Sequence, residues 1–239
     1  RTILFGKKNP ERFFNMGVSE SNMVDIAGGM ATCGLLPVVS TFAIFLSLKG
    51  AEQIRNIICY NNLPVILAGG YSGLSDSFDG ASHQSVEDLA ILRSFPNMNI
   101  LVPADYIETG PALEYAISLR APVYLRLGRN PLPNVFEPGA RFDFKKIHHL
   151  KKGNALTIAV CGAPSYMAVL AANELEKESV SVDLLIVSSI KPFDSETMTR
   201  SVSVTHRLLI IDEHNIIGGL RSAILENIPT EIQYKSDFI

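Results

Sequence analysis

One carboxylate stands where a carboxylate is hard to place. The run Arg12-Phe13-Phe14-Asn15-Met16-Gly17-Val18-Ser19-Glu20-Ser21-Asn22-Met23 sets Glu20 at an expected strand-to-helix turn with apolar residues on almost every side. A charged group in such surroundings costs several kcal/mol unless it is paired or protonated. Arg12 is the only cation close to it in this stretch of sequence, so a partner from elsewhere is expected. Two readings are open. Ser19 could cap the helix, with Glu20 favoured by the helix dipole, or Glu20 could be held there for chemistry.

Further polar clusters follow expected strand ends, where open α/β sheets collect their ligands. Gly69-Gly70-Tyr71-Ser72-Gly73 leads into Ser77-Phe78-Asp79-Gly80-Ala81-Ser82-His83-Gln84 and the acidic pair Glu87-Asp88. A polar loop carrying a histidine suits a binding or proton-transfer site; alternatively, His83 caps a helix starting near Ser85. Phe42 and Phe45 are either core residues or a platform for a flat heteroaromatic ring. Arg126 and Arg129 leave a buried strand, and arginine suits bidentate capture of phosphate or carboxylate. Their plainer use is a salt bridge to a loop carboxylate. Asp212-Glu213-His214 with Gly218-Gly219 reads as a helix start or a contact surface.

Alternating strand-like and helix-like segments must position these groups, and that alternation argues for an α/β protein with largely parallel sheets. In the first half, strands are expected at 13–16, 37–41, 65–69, 100–103 and 123–126, with helices at 42–60 and 109–119 between them. Periodicity lapses across 131–153 into a Pro-containing and then basic stretch, read as a linker between a domain at 1–130 and one at 154–239. Lys145, Lys146, His148, His149, Lys151 and Lys152 read as its solvated face. The second unit restarts with a strand at 156–161, a helix through Met167, Leu170, Ala171 and Leu175, and strands at 181–187, 207–212 and 231–235. With 239 residues, 47% of them hydrophobic, the chain can bury a sizeable core. A net charge of −3 carries no footprint for nucleic acid. No apolar run approaches the roughly 18 to 20 residues of a membrane span, and no signal peptide opens the chain, so the cytoplasm is expected. The 3 cysteines, Cys33, Cys59 and Cys161, read as buried free thiols.

Read in order, these segments resemble a known family over nearly the whole chain. The glutamate motif ending in Met23 is followed by Ser40-Thr41-Phe42-Ala43-Ile44-Phe45, Glu52-Gln53-Ile54-Arg55-Asn56, Asp79-Gly80-Ala81-Ser82-His83-Gln84 and Pro122-Val123-Tyr124-Leu125-Arg126-Leu127-Gly128-Arg129. Ile190-Lys191-Pro192-Phe193-Asp194, Asp212-Glu213-His214 and Gly218-Gly219-Leu220 complete the series. This is similar to the C-terminal subunit of a split, two-chain transketolase, which joins a pyrimidine-binding domain to a small C-terminal domain. The resemblance implies thiamine diphosphate as cofactor, with Glu20 bonded to ring N1′ of the aminopyrimidine and Phe42 and Phe45 flanking that ring. It implies that Asp79 holds a donor hydroxyl, that His83 assists proton movement near the reacting carbons, and that Arg129 grips a substrate phosphate. The reaction implied is cleavage of a ketose, such as a sugar phosphate, with transfer of its two-carbon ketol unit to an acceptor aldehyde.

The chain lacks Gly-Asp-Gly followed some thirty residues on by Asn, the pattern by which this family holds Mg2+ and the diphosphate. No metal ligands are therefore expected here. A partner chain carrying the diphosphate-binding domain is implied, in an α2β2 heterotetramer. Two positions depart from the family. Tyr71 stands where a histidine contributes to phosphate capture, and Ser77-Phe78 stands where Gly-Glu precedes Asp79-Gly80. Tyr71 is still placed in the substrate site. The departures motivate a rival reading, a β-type subunit that delivers a two-carbon acyl unit to a lipoyl or carrier-protein arm. A catalytically silent regulatory subunit is a third, against which the retention of Glu20, Asp79 and His83 argues.

Overall fold

A computed structural model describes residues 2–75 and 78–239. Ser77, one of the two departures noted above, lies outside them, as does Arg1. The chain builds two five-stranded sheets, each mostly parallel and flanked by helices, as the alternation of segments implied. In the first, β1 (Val38–Phe42), β2 (Ile66–Gly70), β4 (Val123–Arg126) and β3 (Asn99–Leu101) run parallel in that spatial order. β2 is apolar and almost wholly buried, the signature of a strand covered on both faces. After the exposed α1 (Ile3–Lys8), the helices α2 (Glu20–Thr32), α3 (Ala43–Lys49), α4 (Ala51–Gln53), α5 (Asp88–Arg93) and α6 (Tyr106–Leu119) accompany this sheet. The second sheet has the order β10 (Lys235–Phe238), β9 (Arg207–Ile211), β6 (Leu156–Val160), β7 (Val182–Ile186), β5 (His148–Lys151). It packs with α7 (Ser165–Lys177), α8 (Ser195–Thr205) and α9 (Leu220–Leu225). Among the described residues no helix is long and apolar enough to cross a membrane.

Several expectations are corrected. Residues 13–16 form no strand: Gly17 turns the chain at φ +66, and Phe14 and Val18 are exposed, so nothing pairs with that backbone. The expected helix over 42–60 breaks at Gly50 and finishes as a π-helix, Ile54–Cys59. The last strand lies later than 231–235, because β10 is set by its parallel register against β9, with Lys235 beside Arg207. A strand was missed: β8 (Ser189–Lys191) leaves the second unit and adds antiparallel to the edge of the first sheet at β3. Lys191 then donates to the carbonyls of Arg93 and Phe95 at the end of α5, where a cation is favoured. Cys59 and Cys161 are buried, but Cys33 is exposed.

The basic stretch within 131–153 is no simple solvated face. His148–Lys151 is strand β5, Lys146 pairs with Glu196 at 2.9 Å, and Lys151 pairs with Glu176 at 2.7 Å. His148 turns inward among the rings of Phe136, Phe142 and Phe144, its Nε2 3.6 Å from Oε1 of the fully buried Glu108.

Burial pushes the Glu108 carboxyl up to about 7, although the Ala104 amide donates to it at 2.7 Å. A carboxyl raised in the folded state stabilises the protein below its unfolded value of 4.5, and that contribution is lost as pH rises through 7. Burial lowers the pKa of His148, so its contribution has the opposite sign: it is present above 6.5 and lost as pH falls. The difference at Glu108 amounts to roughly 3 kcal/mol. In urea melts across pH 4.5 to 7, Glu108→Gln should remove this decline, leaving the rise from His148. An unchanged pH profile would show that Glu108 does not titrate in this window.

Candidate functional site

Register explains how the first sheet gathers its site. Phe42 at the end of β1 lies beside Gly70 at the end of β2, and Gly69 lies beside Arg126 at the end of β4. The residues just beyond these strand ends therefore share one edge. Tyr71 follows Gly70 with φ +60, a conformation uncommon for a bulky residue and often met at functional sites. Its ring centroid is 4.2 Å from that of Phe42. Phe45, one turn into α3, stacks on Phe42 at 5.5 Å with 17° between the planes. The His83 ring meets both edge-on, at 5.6 Å from Phe42 and 5.1 Å from Phe45.

Glu20 opens α2 and is buried, with 7% of its surface exposed. Ser19 makes no side-chain cap, which removes the plainer reading of that motif. The cation beside Glu20 is not Arg12, which lies near Glu11, but Lys49 from the end of α3, its Nζ 3.2 Å from Oε2. The same ammonium sits 4.4 Å from the centroid of Phe45. Ser21 fixes the arrangement by donating to the Lys49 carbonyl at 2.7 Å. Lys49 is the member of this group that the sequence did not reveal: it is 29 positions away and carries only the ordinary signal of a basic residue in a last helical turn.

At the other side of the aromatic group, Arg129 lies 4.8 Å from the Tyr71 ring and 5.6 Å from the Phe78 ring. Its Nη1 pairs with Asp79 at 3.2 Å. Ser82 Oγ is 3.0 Å from His83 Nδ1, and His83 caps no helix, since α5 begins at Asp88. A connected series thus runs from Glu20 and Lys49 through Phe45, His83, Phe42 and Tyr71 to Arg129 and Asp79. All seven residues singled out for cofactor or substrate from the sequence (Glu20, Phe42, Phe45, Tyr71, Asp79, His83, Arg129) belong to it.

Arg126 does not. It is buried and serves as a strut, with Nε 2.8 Å from Asp88 Oδ2 and Nη2 donating to the carbonyls of Ser85 and Glu213. Burial alone would lower its pKa, but Asp88 and Asp212 outweigh that and hold the guanidinium charged. Tyr124 donates to the same Asp88 oxygen at 2.6 Å, and its ring lies where a Cβ on Gly69 would stand, so Gly69 is required by close approach. Asp212-Glu213-His214 serves both readings: Glu213 and His214 meet Arg126 and the Ala90 amide of the first unit, and Asp212 Oδ2 accepts at 2.9 Å from the Leu220 amide that opens α9.

A buried carboxylate linked through Lys49 to stacked aromatic rings offers one hydrogen-bonding group and an apolar face, a combination suited to a flat, polar-edged heteroaromatic ring. Residues 1–134 match the transketolase pyrimidine binding domain family, and residues 145–237 match the transketolase C-terminal domain family. A protein of Methanocaldococcus jannaschii carrying the description transketolase C-terminal section is 36% identical over 228 residues, 95% of this chain and 71% of that protein. One of the subunits of an apulose-4-phosphate transketolase from Actinobacillus succinogenes is 33% identical over 222 residues, covering 93% of this chain and 71% of that relative. Among solved structures, a split-gene transketolase in an inactive β4 tetramer superposes with a TM-score of 0.91 at 39% identity, over 98% of this chain and 77% of that one.

Proposed function

The chain belongs to the transketolase family, and from that premise we propose that it is the pyrimidine-binding subunit of a two-chain enzyme that moves a two-carbon ketol unit from a ketose to an aldehyde. The observation that carries this reading is the buried Glu20 carboxylate, paired with a Lys49 ammonium that also lies over the Phe45 ring of the Phe42–Phe45 stack. Thiamine diphosphate, when bound, supplies the electron sink that lets a bond next to a ketose carbonyl break. This chain's residues do the placing. Glu20 would hydrogen-bond the aminopyrimidine and favour its protonated form, and Phe42 and Phe45 would supply an apolar surface that keeps water from it. Lys49 orients the Glu20 carboxylate through its ion pair. His83 sits at the edge of both phenylalanines, in reach of a substrate laid over them, and moves protons at the substrate oxygens. Asp79 accepts from a substrate hydroxyl. Arg129, held against Tyr71 and paired with Asp79, receives the substrate's anionic end.

The diphosphate and Mg2+ belong to the partner chain, because the motif that holds them is missing from this sequence. Support for a two-chain enzyme comes from the split-gene relative, whose β chains alone form a tetramer described as inactive. An α2β2 assembly in the cytoplasm completes the proposal. Tyr71 and Phe78, both near the Arg129 guanidinium, keep the carrier-arm reading open as a second outcome.

The test is a donor assay on the co-purified complex with thiamine diphosphate, Mg2+ and xylulose 5-phosphate. Release of glyceraldehyde 3-phosphate, with transfer to ribose 5-phosphate, is the expected result. A covalent two-carbon adduct on a lipoyl or carrier domain, without such transfer, would replace the ketol-transfer reading by the carrier-arm one.

A further inference from the structure

The loop 71–86 carries Tyr71, Asp79 and His83, yet it is held in large part by the second unit. Gly73 and Ser85 exchange backbone hydrogen bonds of 2.8 and 3.0 Å, which closes the loop on itself. Ser75 Oγ donates to the Ser72 carbonyl at 2.7 Å and accepts from the Arg129 amide at 3.2 Å, which ties the loop to the end of β4. The remaining ties come from the segment after β9. The Asn215 backbone amide and side-chain amide both donate to the Val86 carbonyl, at 3.0 and 2.9 Å. Glu213 lies against Gly73, with the Leu74 amide donating to its carboxylate. The Glu213 carbonyl in turn accepts from Arg126 Nη2 at 2.9 Å, so its backbone is anchored to the first sheet.

Gly73 shows how close this fit is. Its φ is +67, which favours glycine, and a Cβ there would collide with Oε2 of Glu213. The side chain of Glu213 occupies the space that any other residue at position 73 would need. None of this is required for packing the second unit's own sheet, since β9 ends at Ile211.

We propose that Glu213 is a positioning residue: through Gly73, Leu74 and the Gly73–Ser85 pairing it fixes the described parts of this loop, 71–75 and 78–86, so that Asp79 and His83 face the donor. The second unit then contributes to substrate recognition without touching the reacting atoms. This rests on the reading of the loop as the substrate site given above.

The experiment uses the assembled two-chain enzyme. Hydrogen exchange of residues 71–87 and steady-state kinetics with xylulose 5-phosphate are measured for wild type, Glu213→Ala and Glu213→Gln. A lost hydrogen bond to a charged acceptor shifts an equilibrium by about tenfold or more. Glu213→Ala should therefore speed exchange in 71–87 about tenfold, raise the donor KM about tenfold through Asp79 and lower kcat through His83, with thiamine diphosphate affinity nearly unchanged. Glu213→Gln keeps an acceptor of the same length and should restore all three. Gly73→Ala should cost much less in the Glu213→Ala background than alone, since the collision is gone and only the backbone strain remains. Unchanged exchange in Glu213→Ala would overturn the positioning role. Faster exchange with an unchanged KM would instead show that the loop is fixed by Glu213 but is not the substrate site, which overturns the reading on which the proposal rests.

Discussion

Replacing Glu20 by alanine should abolish most of the activity of the assembled enzyme while leaving the fold intact. The carboxylate is buried at the first residue of α2 and is paired with Lys49, whose ammonium lies over the Phe45 ring. Removing a positioned proton donor or acceptor reduces turnover by about 10²–10⁴-fold. Stability should change little. Lys49, the ion-pair partner, is about half exposed and regains water when the carboxylate is removed; such a pair contributes roughly 0–1 kcal/mol. Loss of an acidic residue from the first turn adds about 0.3–1 kcal/mol. Turnover and urea unfolding on the same preparation separate the two effects. Unchanged turnover would favour the silent regulatory subunit; lost turnover with a collapsed fold would make Glu20 a structural residue.

The second large effect is expected at a residue outside the site. Arg126→Met should destabilise the chain by about 3–5 kcal/mol, because it leaves the Asp88 carboxylate buried without its countercharge. Tyr124 would still donate to Asp88 Oδ2, but one neutral hydroxyl does not offset the desolvation of a carboxylate. Arg126→Lys should recover little, since a single ammonium cannot reproduce an Nε bond to Asp88 and an Nη2 bond to the Glu213 carbonyl at once. The double variant Arg126→Met, Asp88→Leu removes both charges and should regain most of the loss. Urea unfolding of wild type, both single variants and the double variant forms a closed cycle. Equal destabilisation by Arg126→Met and by the double variant would show that the guanidinium matters through its shape, not its charge.

The alternation of segments made the α/β class legible, and the strand ends made legible where candidate groups gather. Phe42, Tyr71 and Arg126 each sit at or just past a strand end, and strand ends are visible as the point where an apolar run gives way to polar residues. That suffices to bring Phe42, Tyr71 and Arg126 to one edge; Glu20 follows no strand, and reaches the group through Lys49 instead. Contacts between distant segments left no such trace. Lys49 reaches Glu20 only because α2 and α3 pack side by side, and nothing in the local pattern of either helix announces the pairing. β8 has only three residues and pairs with a sheet of the other unit, so neither its length nor its neighbours mark it as a strand. Phe13 and Phe14 misled for the converse reason: aromatic residues favour strands, but a strand needs a partner, and the chain turns away at Gly17. Arg126 and Arg129, three residues apart, look alike in sequence. Only burial separates the strut from the group at the site.

The most direct test of the central claim is calorimetric titration of thiamine diphosphate with Mg2+ into this chain alone, into its partner alone, and into the two together. A cofactor site shared between two chains gives full affinity only in the mixture. Tight binding to this chain by itself would contradict the account, because the diphosphate and metal would then have to be held by residues to which no such role has been assigned.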